Sequence, residues 1–226
     1  MSEKQTGKLN QTQSKAARGA QKTKNSARLV VAYALLQMMR QSGYSNLVAE
    51  TRFDQLESQR DRAFASTLFY GVLERQITLR NIVAAYCRKP VEKLDPEVLC
   101  VLEMGLYQLL FLDRIPARAA VSEAVAMCKS QGCARAAGLV NAVLRRIADN
   151  INSLPPILGE GTAGYLSIKY SHPAWLVQYL IDRKGYDFTE EFLRCCNSPA
   201  PLSIQVNTLK VSAADYVRAL ARAELE

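Results

Sequence analysis

The sequence lacks the cysteine and histidine spacing of a zinc site and has no apolar segment long enough to cross a membrane. Its single histidine is His172, and no two of its six cysteines form a C-x-x-C pair, so the spacing typical of zinc sites is missing. No apolar run approaches the roughly 20 residues of a membrane helix, and the N-terminus lacks the apolar block of a secretory signal. We therefore expect no metal, no membrane contact, a cytoplasmic location, and cysteines that remain free and mostly buried.

Positive charge is concentrated at the N-terminus. The chain has a formal net charge of +8, and residues 1–28 hold seven basic side chains against Glu3 alone. This segment has no aromatic residue and is rich in Gln, Ser, Thr, Lys and Ala, so it cannot bury enough surface to fold by itself. We expect residues 1–25 to be a disordered basic tail in which Lys22 and Lys24 contact phosphate groups. The alternative is a solvated tail that only aids solubility.

Residues 26–150 have the pattern of a compact helical bundle. Asp95-Pro96-Glu97 is a helix start, because Asp caps a helix and Pro fits its first position. Leucines then recur at helical spacing until Ile115-Pro116 ends the run. Short loops favour about six or seven helices packed together. The other predicted helices are one from Ser26 to Ser42-Gly43, a short one within 44–59, and those over 61–73, 77–87, 117–129 and 134–147.

A second unit follows a segment that interrupts regular structure. Leu154-Pro155-Pro156 and three glycines predict a linker over residues 151–164. Beyond it, the pattern predicts helices from Pro173 to Lys184 and over 189–196, and an alternating strand over 202–207. Ser212 and Asp215 form a capping box for a last helix. Since one strand makes no sheet, the expected fold is mainly α, with a bundle followed by an incomplete α+β subdomain over 165–226.

Several blocks of this chain follow one another in a family-specific order: 61–65, 70–73, 105–113, 115–117, 120–125 and 138–147. These blocks resemble the NusB-type RNA-binding domain, which also forms the N-terminal part of the Sun/Fmu (RsmB) ribosomal-RNA cytosine-5 methyltransferases. The resemblance covers roughly residues 28 to 220, and several blocks in one order are more specific than a single motif. Tyr170-Ser-His-Pro-Ala-Trp-Leu176 and 201–210 resemble the segment that joins this domain to the catalytic domain of those methyltransferases.

The resemblance implies the RNA-binding, substrate-orienting N-terminal portion of a small-subunit rRNA methyltransferase. The full-length parent is expected to use S-adenosylmethionine, and the expected partner of this chain is RNA, with the chain a monomer. The alternative is a stand-alone NusB-like factor in transcription antitermination, against which the second unit argues. A protein-interaction scaffold that does not bind RNA is a further alternative, against which the basic tail argues.

Four arginines of the bundle are candidate RNA contacts, because guanidinium groups fit phosphate oxygens and stack on bases. Arg28 lies at the start of the first helix, Arg118 follows Ile115-Pro116, and Arg145 and Arg146 end the last bundle helix. For Arg145 and Arg146, an equally good explanation is favourable charge at the helix C-terminus.

The remaining motifs give no catalytic or cofactor site. Gly159-Glu-Gly-Thr-Ala-Gly164 matches a dinucleotide motif by letter, but prolines precede it and His172-Pro173 ends any following helix after about two turns. In the methyltransferase family that this chain resembles, methyl transfer needs the cysteine of a Pro-Cys or Thr-Cys motif. Neither dipeptide occurs in this sequence. We therefore interpret Cys195-Cys196 and Trp175 as packing residues, and His172 as fixing the turn into the next helix.

Overall fold

The computed structural model describes residues 26–41, 44–200 and 203–222, which contain eleven α-helices. The first seven are α1 (Ala27–Gln41), α2 (Ser45–Phe53), α3 (Gln59–Glu74), α4 (Gln76–Tyr86), α5 (Pro96–Phe111), α6 (Ala117–Ser130) and α7 (Ala137–Asp149). The other four are α8 (Ala163–Tyr170), α9 (Ala174–Lys184), α10 (Tyr186–Cys196) and α11 (Ala213–Arg222). Short 3₁₀ turns, Val91–Lys93 and Ala134–Ala136, precede α5 and α7.

Local signals in the sequence set the helix boundaries. Pro96 occupies the first turn of α5 with Asp95 at the cap position, although the Asp95 side chain makes no cap hydrogen bond. Ser58 caps α3, since its Oγ accepts a hydrogen bond from the Asp61 amide. Pro116 is the residue before α6. The seven predicted bundle helices are therefore confirmed, most of them to within a few residues at each end.

Helix α5 is the centre of the bundle. Every residue from Val98 to Gln108 is buried, because α1, α3, α4, α6 and α7 all pack around this helix. Two glycines let the neighbours approach closely. A Cβ atom added at Gly71 of α3 would lie 2.1 Å from the Tyr107 ring, and one at Gly105 would lie 2.6 Å from Leu144 of α7. The absence of side chains at these two positions thus sets the distances between α5 and two of its neighbours.

Helices α8, α9 and α10 form a smaller unit with its own core. Leu166, Val177 and Leu193, one from each helix, are fully buried together. The turn between α8 and α9 places Ser171 in the left-handed region with φ 59°, and Gly185 (φ 85°) separates α9 from α10. The predicted helix over 174–184 is confirmed, and the one predicted over 189–196 begins earlier, at Tyr186.

The smaller unit is hydrogen-bonded to the bundle at the start of α4. The first amides of a helix have no partner within the helix. Here Ser171 Oγ accepts a hydrogen bond from the Ile77 amide at 3.1 Å, and Thr78 Oγ1 donates to the Ile168 carbonyl at 2.5 Å. Arg75 Nη2 also donates to the carbonyl of Asn197 at 3.4 Å. The second unit therefore caps a helix of the first.

The last part of the chain departs from one prediction. Residues 203–207 are neither helix nor strand, so the strand predicted over 202–207 is wrong for the residues that the structure describes, and Leu202 lies outside them. Its alternating pattern favours a strand, but no neighbouring strand supplies hydrogen bonds within the described ranges. The predicted helix start at Ser212 is confirmed, since Ser212 Oγ accepts from the Asp215 amide at 3.1 Å.

No described helix combines the length and the apolar composition needed to span a membrane.

Candidate nucleic-acid interface

A groove of about 750 Å³ lies where the starts of α1 and α3 meet the end of α5. We call it the first groove. It is lined by basic, aromatic and acidic side chains together: Arg28, Arg60, Asp61, Phe64, Thr67, Phe111, Leu112, Asp113, Arg114 and Ile115. Three guanidinium groups face two carboxylates, so the charge of the lining is positive. Arg60 and Arg114 are exposed and make no ion pair with any residue that the structure describes.

Arg28 is the best-positioned basic side chain of the first groove. Its Nε donates a 2.7 Å hydrogen bond to Oε1 of Gln108, and its Cζ lies 4.9 Å from the centre of the Phe64 ring. Gln108 is fully buried and donates in turn to the Met104 carbonyl at 2.9 Å. The core of the bundle therefore holds Arg28, which makes it a fixed contact rather than a mobile charge.

An exposed aromatic ring lies at the other side of the same groove. Phe111 is 40% exposed and stacks on Tyr107, with ring centres 5.1 Å apart. The guanidinium carbon of Arg75 lies 5.5 Å from the Phe111 ring centre. Exposed aromatic rings next to arginines are the pattern on which unpaired bases stack.

A second groove of about 570 Å³ runs between α6 and α7. Arg118 from the first turn of α6 and Arg145 from the last part of α7 both line it, together with Ser122, Asn141 and Asp149. Both arginines are exposed. In the sequence, only Pro116 separates Ile115 of the first groove from Ala117 of the second, so both grooves include residues of this short segment.

Arg146 lies apart from Arg145. Its guanidinium carbon is 5.6 Å from the centre of the Tyr86 ring, at the end of α4. Successive residues of a helix point about 100° apart. The structure therefore divides the Arg145-Arg146 pair between the second groove and a different surface.

The structure brings together some of the predicted RNA contacts and adds others. Arg28 lies in the first groove, Arg118 and Arg145 share the second, and Lys22 and Lys24 lie outside the described residues. Arg60, Arg114 and the two phenylalanines of the first groove were not predicted from the sequence. Arg60 could have been found because it precedes Asp61 in the first turn of α3. The aromatic residues gave no such signal, since their spacing is also that of a helical core.

Two interpretations from the sequence are wrong in the described residues. Trp175 is 71% exposed, because α9 buries Val177 and Trp175 points to the opposite side of that helix. Cys195 and Cys196 are also exposed, since Leu193 is the buried residue of that turn of α10.

Two other interpretations agree with the geometry. His172 fixes the turn before α9, with its Nδ1 2.8 Å from the Tyr170 carbonyl oxygen. The glycine motif begins in the loop before α8 and ends with Gly164 in the first turn of that helix, which spans only eight residues. No cluster of three or more metal-ligating side chains occurs among the described residues.

The fold and the grooves define a class, the NusB-type helical domain, here followed by a second unit. The sequence profile of the NusB family matches residues 25–149, more than half of the chain, so the chain belongs to the NusB family. A second profile, the ferredoxin-like domain of RsmF/B-like methyltransferases, matches residues 172–226. The resemblance stated from the sequence and the mainly α fold are thereby confirmed.

Known proteins are similar either to most of this chain or to about half of it. The probable ribosomal RNA small subunit methyltransferase B of Bacillus subtilis is 32% identical over 90% of this chain and 45% of its own length. The structure of Thermotoga maritima NusB matches 54% of this chain and 88% of its own, with a TM-score of 0.52 at 26% identity. The fold of the protein PH0851 matches 88% of this chain and 45% of its own, with a TM-score of 0.60 at 20% identity. The chain spans about half the length of the curated relatives it matches.

Proposed function

We propose that this chain is the RNA-binding, substrate-orienting N-terminal portion of an S-adenosylmethionine-dependent small-subunit rRNA cytosine-5 methyltransferase. The observation that carries the proposal is the first groove, where the core positions Arg28 over Phe64 and two exposed arginines line the same groove as an exposed phenylalanine. The likeness over 90% of the chain to a probable rRNA methyltransferase supports rRNA as the class of substrate.

The grooves suggest how the RNA is held. Arg28 is fixed by Gln108, so it suits a contact of defined geometry, whereas Arg60 and Arg114 suit phosphate oxygens. Phe111 offers a ring to an unpaired base. Arg118 and Arg145 extend the basic surface along α6 and α7, and Lys22 and Lys24 would add phosphate contacts just before α1. This combination favours single-stranded or looped RNA over a regular duplex.

Methyl transfer itself is assigned to the part of the longer relatives that this chain does not cover. S-adenosylmethionine and the attacking cysteine would both belong to that part, because this sequence has no Pro-Cys or Thr-Cys dipeptide. The role of the present chain is to bind the RNA and to orient it through the second unit, which Ser171 and Thr78 attach to α4. We place this function in the cytoplasm and in a monomer.

A stand-alone factor in transcription antitermination is the alternative. The likeness to Thermotoga maritima NusB supports it for residues 25–149. The match of residues 172–226 to the ferredoxin-like domain of RsmF/B-like methyltransferases favours the methyltransferase instead.

The test compares two arginines of the same helix. Arg60 lines the first groove, and Arg62, also exposed, does not. We expect Arg60→Ala to weaken binding of a small-subunit rRNA fragment about five-fold and to flatten its salt dependence, because one phosphate contact is lost. Arg62→Ala is expected to leave both unchanged. Fluorescence anisotropy over a salt series measures the two variants, and equal losses would reject the first groove as the binding surface.

A further inference from the structure

Two cysteine side chains meet at the junction between α6 and α7. The sulfur atoms of Cys128 and Cys133 are 3.1 Å apart, and both residues are free thiols. Cys128 is buried in the last turn of α6, whereas Cys133 is half-buried and precedes the 3₁₀ turn that leads into α7. A disulfide bond needs about 2.05 Å between its sulfur atoms, so the pair is about 1 Å from bonding distance.

The segment between the two cysteines leaves room for that movement. Gly132 has φ 79°, and a Cβ atom added there would meet no atom within 4 Å. This part of the turn is therefore not packed against a neighbour. The Gln131 side chain has buried nitrogen and oxygen atoms that make no hydrogen bond to any described residue. Neither Gln131 nor Gly132 therefore holds the turn by a side-chain hydrogen bond, and a small shift of Cys133 towards Cys128 breaks no bond of that kind.

We propose that Cys128 and Cys133 are a thiol oxidation site at which peroxide forms a reversible intramolecular disulfide. Half-buried Cys133 reacts first: its thiolate attacks one peroxide oxygen, the oxygen–oxygen bond breaks, and hydroxide leaves to give a sulfenic acid. The sulfur of Cys128 then attacks the sulfur of Cys133. The sulfur–oxygen bond breaks, and the departing hydroxide takes the Cys128 proton to form water. Two thiols are oxidised and one peroxide is reduced to two waters.

The order of the two steps follows from the surroundings of the thiols. Burial raises the pKa of Cys128 to about 12, so this thiol is a poor first nucleophile. Its contact with Cys133 nevertheless places it beside the sulfenic acid as soon as that group forms. The resulting bond would join the end of α6 to the start of α7, the two helices that line the second groove.

Peptide mapping tests the proposal directly, because Lys129 lies between the two cysteines. Trypsin cuts after Arg118, Lys129 and Arg135, so residues 119–129 and 130–135 form two peptides with one cysteine each. The whole chain is treated with graded hydrogen peroxide and digested without reductant. We expect these two peptides to appear linked, the intact mass to fall by two hydrogens, and dithiothreitol to reverse both changes.

Two variants separate this pair from the other thiols. Cys133→Ser removes the first nucleophile, and we expect the linked peptides and the mass loss to disappear. Cys195→Ser combined with Cys196→Ser removes the exposed thiols and is expected to leave the Cys128–Cys133 bond unchanged. Oxidation of Cys133 to a sulfinic acid with Cys128 still a thiol would overturn the proposal, as would peroxide-treated wild type in which Cys128 is linked only to another cysteine. Neither outcome depends on RNA binding.

Discussion

Single residues connect the centre of the bundle to its surface in two different ways. Gln108 is buried on α5 and positions Arg28 in the first groove. Glu103, five residues earlier on the same helix, is 1% exposed and accepts a 2.6 Å ion-paired hydrogen bond from Arg80 of α4. Burial raises the pKa of the Glu103 carboxyl above its usual value, and Arg80 only partly opposes that rise. The first contact positions a candidate RNA-binding side chain, and the second makes stability depend on pH.

Glu103→Gln is expected to remove that pH dependence. Because the folded pKa is raised, the native state keeps its proton at a pH where the unfolded chain has lost it. The Glu103 contribution is then fully present below the unfolded value, near 4.5, and is lost as pH rises through the folded pKa. The stability of the wild type relative to Glu103→Gln should fall over that window by about 1.4 kcal/mol per unit of pKa difference.

Urea melts at pH 4 and pH 7 measure this difference. Glu123→Gln, which changes an exposed carboxyl on α6, is the matched control and should show little pH-dependent change. If wild type and Glu103→Gln differ in unfolding free energy by the same amount at both pH values, the Glu103 carboxyl titrates alike in the folded and unfolded chains.

At the scale of elements, helices α3 and α5 pack closely because residue 71 is a glycine. The Tyr107 ring occupies the space where a Cβ of residue 71 would be, at 2.1 Å. Gly71→Ala forces the ring or the helix to move, and we expect a loss of about 1–3 kcal/mol of unfolding free energy. Gly138→Ala is the control, since a Cβ in that turn of α7 meets nothing within 4 Å. It should gain about 0.5–1 kcal/mol from better helix propensity.

Thermal or urea denaturation of both glycine variants checks this comparison. Because Tyr107 also stacks on Phe111, the Gly71 variant should in addition perturb the first groove and weaken RNA binding. Equal stability of the two variants would show that the Tyr107 ring relaxes without cost.

The elements themselves follow closely from the sequence, whereas their contacts do not. Start signals such as Asp95-Pro96 and the proline before α6 act within one turn, so the helices could be predicted from local residues. Whether an apolar residue is buried in the core depends on which other helix packs against its face. Trp175 was predicted to pack and is exposed, whereas Leu166, also apolar, is buried against the other helices of its unit.

For the same reason, the candidate site could be predicted from the sequence only in part. Arg28, Arg118 and Arg145 could be proposed from charge and position at helix ends, but their division between two grooves depends on how α1, α6 and α7 pack. Arg60 and Phe111 are 51 residues apart in sequence, and only the fold brings them to one groove. The strand over 202–207 shows the converse, since a local pattern forms no strand without a neighbour to pair with.

For the whole molecule, the hydrogen bonds between the two units bear on whether the bundle folds alone. We predict that a 26–150 fragment is strongly helical and melts cooperatively, because its apolar core lies almost wholly within the first seven helices and the turns that precede α5 and α7. The fragment loses Ser171 as the acceptor for the Ile77 amide and Ile168 as the acceptor for Thr78. Since water can replace these partners, the cost should be about 1 kcal/mol for each bond. Circular dichroism during heating tests this, and a non-cooperative melt would mean that the second unit completes the core.

The last prediction concerns the positive charge that residues 1–24 contribute to the whole chain. Their deletion removes six basic side chains and Glu3, but leaves Arg28 and both grooves in place. If the tail follows the RNA backbone, binding to all RNA sequences should weaken and the salt dependence should flatten by about 0.7 in slope per lost phosphate contact. Sequence preference should survive, because positioned side chains of the bundle read bases whereas the lysines contact phosphates.

The variant Arg28→Ala distinguishes the contribution of the start of α1 to RNA binding from that of the tail. This variant leaves Oε1 of buried Gln108 without its partner, so its fold is checked by circular dichroism before binding is measured. We expect it to reduce affinity and to change the preference among RNA sequences, whereas the tail deletion changes the salt slope. Affinities at several salt concentrations for both proteins distinguish the two effects. An unchanged slope after deletion would assign the tail to solubility and leave phosphate contact to the grooves, above all to Arg60, Arg114, Arg118 and Arg145.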